Sequence, residues 1–180
     1  MEPVIKSVAC NFYVDSYWQI CQSRNMVARD GDGWVQCDCG SKHWGLNGAS
    51  GLLIYRAGSI LLQHRAPWVH NGDTWGIPGG ARDSHESVID GAIREAVEET
   101  GIDPQQLLIR STSTDKHGNW SYDTVIAEAT NELVAHELND ESHEVRWVLF
   151  DDVTRLPLHP SFAKSWANLR TQLDYLITPR

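Results

Sequence analysis

The stretch GARDSHESVIDGAIREAVEETGI, residues 80–102, decides the fold. Asp83 and Glu86 have the three-residue spacing of a capping box, and Gly101 with Pro104 beyond it forms a stop signal. The pattern therefore predicts a helix over residues 83–100. At about 100° per residue, Ile89, Ala92, Ile93, Ala96 and Val97 share one arc that can dock on a core. Glu95, Glu98 and Glu99 fall on the other side, at i, i+3 and i+4. Like charges at that spacing destabilise a helix, and a helix C-terminus disfavours negative charge. Arg94 is the only basic residue in the helix. A solvated acidic face is the bland reading of such a run. The alternative is that the carboxylates, together with backbone carbonyls freed by Pro78-Gly79-Gly80, form the hard oxygen donor set preferred by Mg²⁺ or Mn²⁺.

Outward from this helix the pattern is mostly strand-like. Residues 51–57 and 59–64 are apolar runs flanking Gly58, which reads as a β-hairpin. A loop with Pro67, Gly72 and Asp73 leads to Trp75-Gly76-Ile77-Pro78-Gly79-Gly80, where Pro and paired Gly end regular structure. Downstream, strands are expected at residues 107–111, 122–129, 132–137 and 145–149. A closing helix over 161–175 carries Phe162, Trp166, Leu169, Leu173 and Leu176 at three- or four-residue spacing. This order predicts an α/β (α+β) sandwich in which helices cover a mixed β-sheet. Residues 1–47 are rich in breakers and read as a loop-rich extension with short strands at 11–14 and 34–37. The boundary falls at Leu46-Asn47-Gly48, leaving residues 48–180 as the main domain.

The whole composition narrows the class further. The chain has 180 residues, 41% of them hydrophobic, which suits one core and excludes a disordered polymer. No apolar run reaches the roughly 18 residues of a membrane span. The start, Met1 to Lys6, lacks a basic region followed by an apolar one, so cytoplasm is the expected location and no membrane association is expected. The formal net charge is -9, which argues against a protein that grips nucleic-acid backbones. That charge is local. Residues 80–102 hold six acids and two bases, residues 137–152 hold six acids and one base, and the remaining twelve of each balance.

Read from Gly80, the helix segment runs Gly80, five residues, Glu86, seven residues, then Arg94-Glu95-Ala96-Val97-Glu98-Glu99-Thr100-Gly101-Ile102. This resembles the full signature box of the Nudix hydrolases, Gly-x5-Glu-x7-Arg-Glu-U-x-Glu-Glu-x-Gly-U with U aliphatic, and every fixed position is matched. The resemblance implies a Nudix-like α/β/α sandwich over about residues 48–180. It also implies cleavage of a diphosphate linked to another moiety, by attack of water at phosphorus. Glu95, Glu98 and Glu99 would hold Mg²⁺, or Mn²⁺ in its place, with the Gly80 carbonyl as a further ligand. Arg94 would orient the carboxylates, and Glu86 would pair with Arg94 to close the loop onto the helix. A diphosphate is anionic and repels an oxygen nucleophile, so cations must first neutralise it. The base that accepts the proton of the attacking water varies among relatives. It is sometimes a box glutamate and sometimes a later carboxylate, for which Glu141 and Glu144 are the candidates here.

Substrate cues are sparse. Trp68 and Trp120 lie in loops that read as exposed, where an aromatic can stack on a base with Arg65 or Lys116 near a phosphate; a core or rim role is the alternative for each. Trp147 and Trp166 read as core. The proline that ADP-ribose hydrolases tend to carry about sixteen residues after the box is replaced by Gly118, and the signature of the NADH branch is absent. ADP-ribose, an ordinary or oxidised nucleoside triphosphate and a nucleotide sugar therefore stay open, and a homodimer is compatible with any of them. A Nudix-like nucleotide sensor is disfavoured by the intact box. An isopentenyl diphosphate isomerase is disfavoured because no cysteine follows Cys39. In the extension, Cys37, Cys39 and His43 are suitable Zn²⁺ ligands that Cys21 or Cys10 would complete. Against this, a single residue separates Cys37 from Cys39, and free thiols packed as small apolar groups are the alternative.

Overall fold

The computed structural model describes residues 29–138 and 140–178. Cys10, Cys21 and the strand expected at 11–14 lie outside them. The strands are β1 (Trp34–Gln36), β2 (Lys42–Trp44), β3 (Ala49–Arg56), β4 (Ser59–Arg65), β5 (Trp75–Gly76) and β6 (Gly79–Ala81), followed by β7 (Leu107–His117), β8 (Trp120–Ala129) and β9 (Ser142–Leu149). The helices are α1 (Val88–Thr100) and α2 (Pro160–Ile177). β1 and β2 form their own antiparallel ladder, and the other strands form a seven-stranded mixed sheet.

The hairpin of β3 and β4 organises that sheet. Ala57 and Gly58 both have positive φ, 45° and 78°, as a two-residue turn between twisted strands requires. Beyond the turn the strands part, since only Tyr55↔Ile60 and Arg56↔Ser59 are paired. β6 takes the vacated edge of β3 through Gly51↔Gly79 and Ser50↔Gly80, while β5 takes that of β4 through Gln63↔Gly76 and His64↔Trp75. On the outer edges, β8 runs parallel to β3 and β9 antiparallel to β4. The approach of β3 and β6 needs glycine, because a Cβ on Gly79 would lie 2.5 Å from the Gly51 Cα.

Strand alternation sorts the core into two layers. Leu53, Tyr55, Ile60, Leu62 and Ile126 pack with Phe162, Trp166, Leu169 and Leu173 of α2. Leu52, Ile54, Leu61, Val125 and Ala127 pack with Ala92 and Ala96 of α1. β3 is buried on both faces from Ala49 to Tyr55, which explains its unbroken apolar run. The result is the expected α/β/α sandwich. Trp166 is core, whereas Trp147 is only partly buried and lies under the Arg56 guanidinium, 3.9 Å from its ring centroid.

Three local expectations are corrected. α1 starts at Val88 with Ser87 as its N-cap, because the Asp83 carboxylate is engaged elsewhere, by Arg29 and the Gly31 N–H. Residues 132–137 are not a strand. Their neighbourhood finishes α1 instead, with His136 N–H donating to Thr100 O (3.0 Å) and Leu138 N–H to Glu99 O (3.2 Å). Arg56 Nη1 pins the same segment through the carbonyls of Asn131 and Leu133. β7 runs on to His117, and its polar Ser-Thr-Ser-Thr sequence suits an edge strand whose burial alternates along its length. Among the described residues, no helix is long and apolar enough to cross a membrane.

Candidate active site

The acidic side of α1 lies against β6 and the loop before the helix. Arg94 gathers this region. Its Nε donates to Glu86 Oε1 (2.5 Å), and its Nη2 to both Glu86 Oε2 and the Ala81 carbonyl (2.9 Å each). Its Nη1 donates to Glu95 Oε1 at 2.7 Å and lies 3.5 Å from Glu98 Oε2. Glu86 in turn accepts the Asp83 N–H at 2.9 Å. The loop from β6 is thereby tied to the middle of α1. Glu95 lies directly on Gly80, where a Cβ would come within 2.6 Å of its carboxyl carbon. Gly80 is thus the residue that admits the carboxylate.

Glu99 is the residue that departs most from the helical reading. It is 4% exposed and sits on the sheet side, because seven residues of helix return it to within about 20° of Ala92. Its Oε2 accepts the Gly79 N–H at 2.9 Å, and its carboxyl also bonds the Gln63 side chain. Burial, reinforced by the charge of Glu95, raises its pKa to about 8. Burial also raises Glu95, against the pull of Arg94. Glu86 is lowered instead, by its bonds from Arg94. Burial works against the charge on Arg94, but its bonds to Glu86 and Glu95 outweigh that and raise it further. Two desolvated carboxylates one turn apart, beside a buried Gln63 Oε1 that has no hydrogen-bond partner among the described residues, form a donor set that a divalent cation fits.

The other expected residues divide. Arg65, at the end of β4, is close enough for its charge to act on Glu99, and its Nε reaches the His70 carbonyl at 3.4 Å. Trp68 is 70% exposed in the following loop. Glu141 lies at that same end of the sheet, its carbonyl accepting the Ala66 N–H at 2.8 Å. Glu144 does not join α1. It pairs in register with His64, on the face that carries Ile60 and Leu62, and lies 3.5 Å from Arg146. Trp120 is not in an exposed loop but opens β8. It is buried, donates from Nε1 to the Gly45 carbonyl (2.9 Å) and stacks on His43. Cys37, Cys39 and His43 do come together, at the turn of the β1–β2 hairpin.

Two neighbours of the cluster were not anticipated. Arg29 donates to Asp83 from Nε (2.9 Å) and Nη2 (2.5 Å), with its Nη1 3.5 Å from Glu98 Oε1. Nothing in the spacing of a loop-rich extension ties it to the helix. Gln63 was legible in principle, since it shares the α1 face of β4 with Leu61 and Arg65 by strand alternation.

Similarity to known proteins agrees with this geometry. The NUDIX domain family model matches residues 46–169. A Mycobacterium tuberculosis protein named "Putative 8-oxo-dGTP diphosphatase 3" is 48% identical over 158 residues, covering 81% of this chain and 71% of its own. A Bifidobacterium longum "Nucleoside triphosphate pyrophosphatase/Nudix hydrolase fusion protein" is 44% identical over 161 residues, and this chain covers 33% of it. Among solved structures, the Nudix hydrolase RenU from M. smegmatis superposes with a TM-score of 0.74 at 45% identity, covering 83% of this chain and 99% of that one. With the box complete and its residues assembled at one end of α1, the chain belongs to the Nudix family and is a pyrophosphohydrolase.

Proposed function

We propose that the protein hydrolyses the diphosphate linkage of a nucleoside triphosphate or nucleoside diphosphate derivative in a reaction that depends on Mg²⁺, with Mn²⁺ able to replace it. The observation that carries this reading is the convergence of Glu95 and Glu99 on the Gly79-Gly80 strand, with Glu98 beside them at Arg94, where one helix and one β-edge supply hard oxygen ligands together. Glu95, Glu98, Glu99 and the Gly80 carbonyl would hold the metal, which when bound neutralises phosphate charge and makes water more acidic. Arg94 is a positioning residue. It fixes Glu95 and, through Glu86, the loop before α1. Glu98 is the most accessible of the three glutamates, at 32% of its side chain. Glu98 and Glu141, both open to water, are the better candidates for accepting the proton of the attacking water. Glu144 is disfavoured by its place on the opposite sheet face.

For the substrate, the name of the M. tuberculosis relative favours an oxidised purine nucleoside triphosphate cleaved to the monophosphate and pyrophosphate. Arg65 and the exposed Trp68 border the loop where phosphate and base would approach. The test is a panel of 8-oxo-dGTP, dGTP, other nucleoside triphosphates, ADP-ribose, a nucleotide sugar and a dinucleoside polyphosphate, assayed with and without Mg²⁺. Turnover of a triphosphate that requires Mg²⁺ and falls at least about a hundredfold in Glu98→Gln supports the reading. Tight binding of a nucleotide without turnover would favour a sensor instead.

A further inference from the structure

The β1–β2 hairpin carries a second cluster of ligating side chains that the hydrolytic site does not use. Its strands are three residues each and, among the described residues, pair only with one another, and an isolated ladder this short is marginal in water. What fixes it is its turn. Cys37 is buried and directs its thiol to the His117 carbonyl at 2.7 Å, at the end of β7. The Cys39 N–H donates to Cys37 Sγ (3.4 Å), and Cys39 Sγ lies 3.1 Å from His43 Nε2. The Asp38 N–H reaches Asn119 Oδ1 at 3.2 Å, which seats the turn on the β7–β8 connection.

We propose that Cys37, Cys39 and His43 bind a Zn²⁺ ion, with His117 as the fourth ligand. One ligand atom from each of the first three lies within 4.8 Å of the others. A zinc tetrahedron with Zn–S near 2.3 Å and Zn–N near 2.0 Å has edges of roughly 3.3–3.8 Å. Closing the cluster onto a metal therefore needs only small side-chain movements. His117 is placed to complete it. Its ring is 4.8 Å from that of His43, and its side chain hydrogen-bonds to Cys39. Its Nε2 is 3.1 Å from Asp115 Oδ2. That carboxylate leaves Nδ1 as the ligating nitrogen and orients the ring, as carboxylates commonly do behind a zinc-bound histidine. His43 is held by stacking on Trp120, with centroids 4.3 Å apart and planes at 11°. Two thiolates and two imidazoles form a tetrahedral set of the softness Zn²⁺ prefers over Mg²⁺. The one-residue gap between the cysteines fits because the fold, rather than a local knuckle, brings His117 from 74 residues beyond His43.

Such an ion would staple the extension to the sheet. It would also hold the hairpin that presents Trp34 and Trp44 beside His70, whose ring is 5.5 Å from that of Trp34. The test is metal analysis of the full chain purified without chelator, followed by replacement with Co²⁺. One Zn²⁺ per chain is expected, with a thiolate-to-cobalt charge-transfer band and the d–d spectrum of a tetrahedral site. Cys39→Ser and His43→Ala should each weaken binding by more than the roughly 10–100-fold of a lost orienting partner. Glu98→Gln, in the Mg²⁺ site, should retain full zinc. Circular dichroism establishes that the variants are folded, and if either is not, the Co²⁺ spectrum of the unaltered chain decides. A reduced wild-type chain that takes up neither Zn²⁺ nor Co²⁺ overturns the proposal. So does zinc content unchanged in both variants, or a Cys37–Cys39 disulfide in the isolated protein.

Discussion

Arg94 grips Glu86 through two nitrogens, Nε at 2.5 Å and Nη2 at 2.9 Å, across the loop that enters α1. Both side chains are largely buried, at 15% and 7% exposure. The planar guanidinium therefore acts as a strut between β6, the loop and the helix. Lysine would keep the charge but lose the fork geometry. Arg94→Lys is expected to lower stability by about 2 kcal/mol. It should also reduce kcat by about a hundredfold, because small displacements of positioned groups are costly. Urea denaturation and steady-state kinetics measure the two effects, and a kcat near wild type would remove Arg94 from the positioning role.

Glu99 opposes stability and serves the proposed metal site at once. Its folded pKa of about 8 lies well above the usual carboxylate value of 4.5. In metal-free protein the folded state therefore binds the extra proton, so stability falls as pH rises from about 4.5 through 8. Glu99→Gln removes that titration while keeping the shape. The metal-free variant should be more stable than wild type at pH 9, by on the order of a few kcal/mol. Near pH 5, where Glu99 is protonated in the fold, the gap should nearly close. Mg²⁺ should raise the melting temperature of wild type more than that of the variant. Equal pH profiles for the two metal-free proteins would contradict this account of Glu99.

The sequence reveals the helix and its chemistry more readily than the role of each glutamate. The box, the Gly101 stop and the β3–β4 hairpin are local patterns, and all three stand in the structure as read. By charge Glu99 reads with the solvent-facing carboxylates, although by angle it lies almost in line with Ala92. The expected cap at Asp83 failed for a different reason, since its partner Arg29 is 54 residues away. Trp120 looked exposed beside Gly118 and Asn119, yet Gly45 and His43, from the extension, cover it. Residues 132–137 have strand composition, but the N–H groups of His136 and of Leu138 just beyond go to the end of α1. Apart from Glu99, whose angle on the helix is local information, each miss depends on a partner far away in sequence.

Arg29 links the extension to the helix and places a cation 3.5 Å from Glu98. That cation competes with any divalent ion for the same carboxylate. Its side chain is 36% exposed, so solvent screens the effect and the change should be moderate. Arg29→Ala is expected to tighten Mg²⁺ binding by about threefold to tenfold. It should also cost up to about 1 kcal/mol of stability through the lost Asp83 pair. Titration with Mg²⁺ followed by calorimetry reads the first effect, and weaker binding would show that Arg29 supports the ligands instead of competing with metal.

His159 gives α2 an acid-sensitive start. It is the N-cap, with Nδ1 accepting the Ser161 N–H at 3.3 Å and Pro160 following at the first helical position. Accepting at Nδ1 requires a neutral ring, because protonation would place a hydrogen on that nitrogen. Burial, aided by the positive charge of Arg65 and by His70, lowers the pKa to about 4 from its usual 6.5. As pH falls below 6.5 the unfolded chain gains this proton and the folded one does not. Stability is therefore complete above pH 6.5 and is lost progressively towards pH 4, by on the order of 2 kcal/mol from this residue. His159→Asn keeps a capping side chain but cannot titrate, so its stability should change less over that interval. Melting temperatures of wild type and variant between pH 7 and pH 4 make the comparison. Parallel curves would mean that the acid sensitivity of the protein arises elsewhere.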